Sequence, residues 1–372
     1  MPLDVGMVAS SNAAAQGARR KAQGAGHGDR WLMNRARGFA PGPVTGLAIL
    51  LTGLLTFALT LIPANSIASE RMFGAFGPEG ARMREQLWIL PSGDAKIPMR
   101  ATVFRPDADP SGEDKRRPLV VINHGTNEAT RLAVSMPVYY WMSRWFVERG
   151  YVVVLPQRRG HGATGGPLAE AIGNCAHPDH YASGNVAADD IEAAVNYMTQ
   201  QPFVARDGAI VVGVSTGGWA SLALAARNLP QVQAIVNFSG GRGGHAYGQP
   251  NAICGTDALL SAARRYASHA HEPTIWFYAK NDSYFGPKLA ENLAQAWSNA
   301  GGSVEEHILP PYGTEGHTIA DDRQGWDIWG PNLDSFLQRV REQAPKSVEM
   351  AADPGSQSPS MIETSTITTE AK

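Results

Sequence analysis

A serine flanked by glycines, Gly213-Val214-Ser215-Thr216-Gly217, an aspartate at 282 and a histidine at 317 supply a nucleophile, an acid and a base. A serine hydroxyl attacks carbonyl carbon when a base takes its proton, and imidazole serves best when a carboxylate fixes its tautomer. These types point to acyl transfer through a covalent intermediate. The glycine pattern alone is weak: with 40 glycines in 372 residues, a given serine acquires both flanking glycines by chance roughly one time in eighty-five. Context strengthens it. Ser215 follows the strand-like run AIVVGV and precedes the helical run GGWASLALAARN, so it would occupy a tight strand-to-helix turn at the C-terminal edge of a parallel sheet. The competing reading is a serine that only caps the helix.

The elements that must position these residues alternate along the chain. QLWIL and MRATVFRP read as an antiparallel hairpin; PLVVINHG, YVVVLPQRRG, AIVVGV, VQAIVNF, PTIWFYAKND and SVEEHILP read as buried strands. Helical spacing runs through MPVYYWMSRWFVERG, NVAADDIEAAVNYMTQQ, GGWASLALAARN, GPKLAENLAQAWSNAGG and GWDIWGPNLDSFLQRVRE. Strands alternating with helices imply a mainly parallel, twisted sheet with helices on both faces. Residues 161–185 and 240–272 fit neither period and read as lid-like insertions near a site. In such a sheet Asp282 and His317 would each stand on the loop after a strand, in the chain order serine, acid, histidine. Asp282 also reads as a cap for the helix that follows it, and Glu315 and Asp321 are alternative orienting acids.

The oxyanion of a tetrahedral intermediate needs two fixed N–H donors. Thr216, directly after the nucleophile, is one; Thr126 in the Asn123-His124-Gly125-Thr126 turn is the other. His124 precedes the nucleophile and reads as support for that turn. RRGHGATGG, residues 158–166, lacks the lysine of a phosphate-binding loop and reads as a site-lining segment. Tyr139, Tyr140, Trp141 and Trp145 stand at core spacing, with an acyl or aryl pocket as the other reading, and Trp219 reads as packing under the turn.

Taken in order, NHGTN, RRGHGATGG, GVSTGGWASLALA, NFSGGRGG, YAKNDSYF and GTEGHT resemble the α/β-hydrolase superfamily, within it the dienelactone-hydrolase-like and prolyl-oligopeptidase-like serine esterase branch, across about Gln86 to Arg341. The resemblance implies an α/β-hydrolase fold with Ser215 as nucleophile, Asp282 as acid and His317 as base, acting on a small-molecule carboxylic ester without metal or organic cofactor. Dienelactone hydrolases proper use cysteine as nucleophile and are compact cytoplasmic enzymes, so this chain departs from them. The other readings are an exopeptidase or amidase of prolyl-oligopeptidase type, an acyltransferase, and a non-catalytic binding module on the same scaffold. Activity on esters against aminoacyl amides separates the first, and the intact triad argues against the last.

Composition is that of a globular protein: 43% hydrophobic, 18% charged, net charge -2. It gives no general attraction to nucleic acid. Val44–Ile62 is uncharged, follows Arg30, Arg35 and Arg37, and precedes small residues; it reads as a signal peptide cleaved near Ala68 or as a retained N-terminal membrane anchor, with a buried core helix as the third reading. Either of the first two places the remainder outside the cytoplasm, periplasmic or secreted, where Cys175 and Cys254 can pair. The expected organisation is an N-terminal extension over 1–42, disordered or upstream of a true start at Met33; a signal or anchor over 43–68; a catalytic domain over 73–343; and a disordered tail over 344–372.

Overall fold

The computed structural model describes residues 72–108, 115–133 and 139–343. The expectations for the N-terminal extension, the apolar segment and the C-terminal tail lie outside the described residues; among the described residues no helix is long and apolar enough to cross a membrane.

Among the described residues nine strands form one sheet: β1 (Gly74–Phe76), β2 (Gln86–Leu90), β3 (Met99–Phe104), β4 (Leu119–Asn123), β5 (Val152–Pro156), β6 (Ala209–Val214), β7 (Val232–Phe238), β8 (Thr274–Ala279) and β9 (Glu305–Leu309). Their order is β1-β2-β3-β5-β4-β6-β7-β8-β9. The first three pair antiparallel with each other, and β3 pairs antiparallel with β5. From β5 to β9 every pairing is parallel. The central strands are apolar throughout because both faces are covered. Along β6, Ala209 and Val211 face one core while Ile210, Val212 and Val214 face the other.

Among the described residues six helices do the covering: α1 (Tyr140–Val147), α2 (His180–Met198), α3 (Thr216–Ala225), α4 (Thr256–Ala267), α5 (Pro287–Asn299) and α6 (Trp326–Gln343). Helices α2 to α5 pack into one core with Trp276 and Tyr278 of β8; α1 and α6 pack into the other with Phe238 and Phe277. Trp219 is buried against Tyr266 and donates its indole N–H to His180 O at 2.9 Å, the packing role the sequence suggested. Trp145 is likewise core.

Two corrections concern the stretches taken as irregular. Helix α2 starts at His180, inside the first of them, with the Asp179 carboxylate accepting the Ala182 N–H at 2.9 Å. Its start shows no apolar period because the residues it buries there are His180, Ser183 and Gly184, and Gly184 faces the aromatic layer: a Cβ there would lie 2.4 Å from the Tyr266 hydroxyl and 3.0 Å from Trp219 Nε1. Helix α4 falls wholly within the second stretch. It buries Leu259, Ala262, Ala263, Tyr266 and Ala267, a mostly alanine face, and begins after Gly255 without a side-chain cap, so the usual start signal is missing.

A disulfide joins Cys175 to Cys254, with Cα atoms 4.7 Å apart and positions 79 residues apart in sequence. It ties the segment before α2 to the segment before α4. Closing so long a loop removes denatured-state freedom. Exposure to dithiothreitol, or Cys254→Ser, is expected to lower the unfolding free energy by about 3 kcal/mol; urea titrations with and without reductant would show coincident curves if the bridge carried no stability.

Candidate active site

Ser215 lies between β6 and α3 with φ 57° and ψ -123°, a backbone state that side chains other than glycine seldom adopt. Its N–H donates to Phe238 O at 2.9 Å, tying the turn to β7, and its C=O accepts from Trp219 and Gly241 N–H. The turn is this tight only because its flanks lack side chains. A Cβ on Gly213 would meet Gly217 O at 2.2 Å, and one on Gly217 would meet Asn123 O at 2.2 Å.

Asp282 and His317 follow β8 and β9, the strands beyond β7 on the same side of β6. His317 Nδ1 lies 3.0 Å and 3.1 Å from the two Asp282 carboxylate oxygens. That pairing requires the proton on Nδ1, which leaves the Nε2 lone pair free to act as a base. Asp282 is buried and accepts the Tyr284 and Phe285 N–H groups, both at 2.9 Å. Burial pushes its carboxyl up, but the His317 hydrogen bond and charge, with the backbone N–H donors, outweigh this and hold it below the usual carboxylate value. The alternative acids have other work. Glu315 accepts the backbone N–H of His317 at 3.0 Å and lies off the ring. No hydrogen bond joins Ser215 Oγ to His317 Nε2 in this arrangement; such contacts often tighten only once substrate is bound.

Asp321 caps α1, accepting Met142 N–H at 3.0 Å, with the Trp141 and Tyr140 N–H groups also on it. Burial pushes its carboxyl up from 3.8 to about 6. A raised carboxyl favours the fold when protonated, so its contribution is full below the unfolded value and is lost as pH rises through about 6. Asp321→Asn is therefore expected to raise stability by about 2 kcal/mol at pH 8. The gain should disappear near pH 4, and a gain of equal size at both pH values in urea titrations would contradict the burial argument.

The Thr126 turn stands against the nucleophile: a Cβ on Gly125 would come within 3.0 Å of Ser215 Cβ. Neither the Thr126 nor the Thr216 N–H has a hydrogen-bond partner among the described residues, and the Thr216 hydroxyl donates to Thr126 Oγ1 at 2.8 Å. His124 is a support, as its place in the sequence suggested. Its Nδ1–H donates to Gly125 O at 2.8 Å and its Nε2 accepts the Arg158 N–H at 3.2 Å. That is the neutral tautomer, and burial, then the charges of Arg158 and His161, hold the ring's pKa well below the ordinary imidazole value. Tyr139 steadies the turn from the far side, its hydroxyl accepting Gly125 N–H at 3.2 Å.

Beneath the turn lies a buried ion cluster that the sequence reading missed. Arg158 Nε meets Glu170 Oε2 at 2.9 Å, both side chains being almost fully enclosed, and Arg242 approaches the same carboxylate at 3.6 Å. Thr126 Oγ1 donates to Glu170 Oε1 at 2.8 Å and meets His161 Nε2 at 2.9 Å. Burial would push Glu170 up; Arg158 and Arg242 reverse this and hold it far below the usual carboxylate range. The same burial, with Arg158, lowers His161 to about 4. The arginine pair of RRGHGATGG was the available signal, since arginine next to a strand end is seldom buried without a carboxylate. Nothing in the sequence around Glu170 marks it as that partner.

A strained serine between strand and helix, at the C-terminal edge of a mainly parallel sheet covered on both faces, defines an α/β-hydrolase fold. Within it, the chain belongs to the dienelactone hydrolase family, whose profile matches residues 113–331, more than half of the sequence. No curated protein sequence matches the chain. Among solved structures, it is similar to a puromycin-hydrolysing peptidase of Mycobacterium tuberculosis (17% identity, 70% of this chain and 40% of that one, TM-score 0.47). It is also similar to a putative dienelactone hydrolase of Klebsiella pneumoniae (17% identity, 67% and 97%, TM-score 0.43). A putative dipeptidyl aminopeptidase IV of Bacteroides ovatus matches at 16% identity, over 68% of this chain and 35% of that one, with TM-score 0.52. The chain thus spans well under half the length of the two peptidases, and at these identities the likeness concerns the fold.

Proposed function

We propose that the protein is a serine hydrolase of small carboxylic esters. The observation that carries the reading is Ser215 held in its strained turn on the same sheet edge as the Asp282–His317 pair. In the proposed cycle, Ser215 Oγ attacks the ester carbonyl while His317 Nε2 takes its proton. Asp282 fixes the ring and stabilises the imidazolium that forms. The Thr126 and Thr216 N–H groups receive the oxyanion. His317 then protonates the departing alcohol, leaving an acyl-Ser215, and next removes a proton from the water that hydrolyses it.

An amidase or exopeptidase would use the same groups. The peptidase neighbours keep that reading open, and acyl transfer to an alcohol in place of water is the third course. Turnover of p-nitrophenyl acetate, with fluorophosphonate labelling at Ser215, tests the proposal; faster cleavage of aminoacyl amides than of matched esters would move the assignment to the peptidase. We also propose that the enzyme works outside the cytoplasm, periplasmic or secreted; the Cys175–Cys254 disulfide supports this, since such bridges persist in oxidising compartments. Fractionation of cells expressing the full chain, with activity found only in the cytosol, would overturn it.

A further inference from the structure

The insertion between β7 and α4 carries a histidine that the proposed cycle does not use. His245 has left-handed backbone angles, φ 56° and ψ 39°, a strained state for a residue other than glycine. Its ring lies flat on Tyr284, with centroids 3.6 Å apart and planes 6° from parallel. The Tyr284 ring is in turn 4.4 Å from that of His317. Three rings therefore stand in a row, ending on the proposed base.

A second route runs through hydrogen bonds. The single Ser283 hydroxyl proton goes to Glu315 Oε2 at 2.5 Å, so His245 Nε2 must be the donor in its 2.8 Å contact with Ser283 Oγ. Glu315 Oε1 accepts two backbone N–H groups, from Ser283 at 3.1 Å and from His317 at 3.0 Å. One carboxylate thus clamps the residue after Asp282 to the backbone of His317, and Ser283 and His245 hold that carboxylate in place. The insertion is itself anchored. Cys254 N–H donates to Gly243 O at 2.8 Å, Asn251 N–H to Ser283 O at 2.6 Å, and the disulfide and the His180 ring fix Cys254 to the α2 side.

We propose that His245 is a positioning residue for the reaction: through Tyr284, and through Ser283 and Glu315, the disulfide-tethered insertion holds the Asp282–His317 pair in register. The insertion is then a strut for the base and not a lid over the substrate. This rests on Ser215 and His317 being nucleophile and base.

The test uses the full chain and p-nitrophenyl acetate. His245→Ala removes both routes and is expected to lower kcat by about 10- to 100-fold, the cost of a small misplacement of a reacting group. KM should stay within about two-fold, because substrate binding is untouched. His245→Phe keeps the ring stack and His245→Gln keeps the donor, so each should recover part of the lost kcat. Wild-type kcat in His245→Ala, or a loss confined to KM, overturns the proposal. If the alanine variant loses its circular dichroism signature, the other two carry the test: rates equal to wild type in both, with folded spectra, overturn it. Failure of fluorophosphonate to label wild-type Ser215 would instead remove the catalytic reading beneath it.

Discussion

Ser215→Ala is expected to cut kcat on esters by roughly 10^4- to 10^6-fold and to abolish fluorophosphonate labelling. Deleting the hydroxyl removes the covalent step, while whatever the oxyanion donors contribute remains. The companion substitution separates function from fold. At φ 57° and ψ -123° the serine backbone is in a region that glycine enters freely and other residues enter at a cost of about 1–3 kcal/mol. Ser215→Gly should therefore be as inactive as the alanine variant and yet more stable than it by about 1 kcal/mol, because part of the strain is released and part is lost to the freer unfolded chain. Urea unfolding of the three proteins and single-turnover assays decide the matter. Residual turnover in Ser215→Ala near the wild-type rate would remove the nucleophile assignment. A glycine variant less stable than the alanine variant would show that the turn stores no strain.

The residues at the strand ends were the ones legible in the sequence. Ser215, Asp282 and His317 each follow a short apolar run, and a parallel sheet converts that local fact into a shared edge. The Thr126 turn was readable for the same reason. Arg158, Glu170 and Arg242 were not, because their chemistry depends on tertiary placement: Glu170 and Arg242 stand 72 residues apart, with four strand or helix elements between them. No period or spacing encodes such a meeting. The start of α2 escaped because its buried residues, His180, Ser183, Gly184 and Ala187, make room for Trp219 and Tyr266 but carry little hydrophobic contrast, and α4 escaped because three of its five buried residues are alanine and it begins without a capping side chain. The strut of His245, Ser283 and Glu315 was hidden in the same way, since three separate loops supply its members.

Arg158→Met is expected to destabilise the protein by about 3–5 kcal/mol at pH 7, among the largest effects a single side chain can have here. The methionine can fill much of the arginine's volume, so the loss is chiefly electrostatic: the Glu170 carboxylate keeps its burial and loses its bidentate partner, and it retains the Thr126 hydroxyl at 2.8 Å and Arg242 at 3.6 Å. The pH dependence gives the argument its sign. In the wild type Glu170 is held far below its ordinary 4.5, so it contributes stability above that value, and the contribution is lost as pH falls towards the folded one. In the variant the carboxyl rises and can be neutralised, so wild type and variant should converge as the pH is lowered from 7 to 4. Adding Glu170→Gln, which keeps an acceptor for the Thr126 hydroxyl, should restore part of the stability at pH 7 and make the double variant firmer than Arg158→Met alone. Urea titrations of the four proteins of this cycle at both pH values measure the coupling directly. A deficit in Arg158→Met that is the same at pH 4 as at pH 7, and that Glu170→Gln only deepens, would mean that arginine serves there as packing and that the charge of Glu170 is held by something other than this pair.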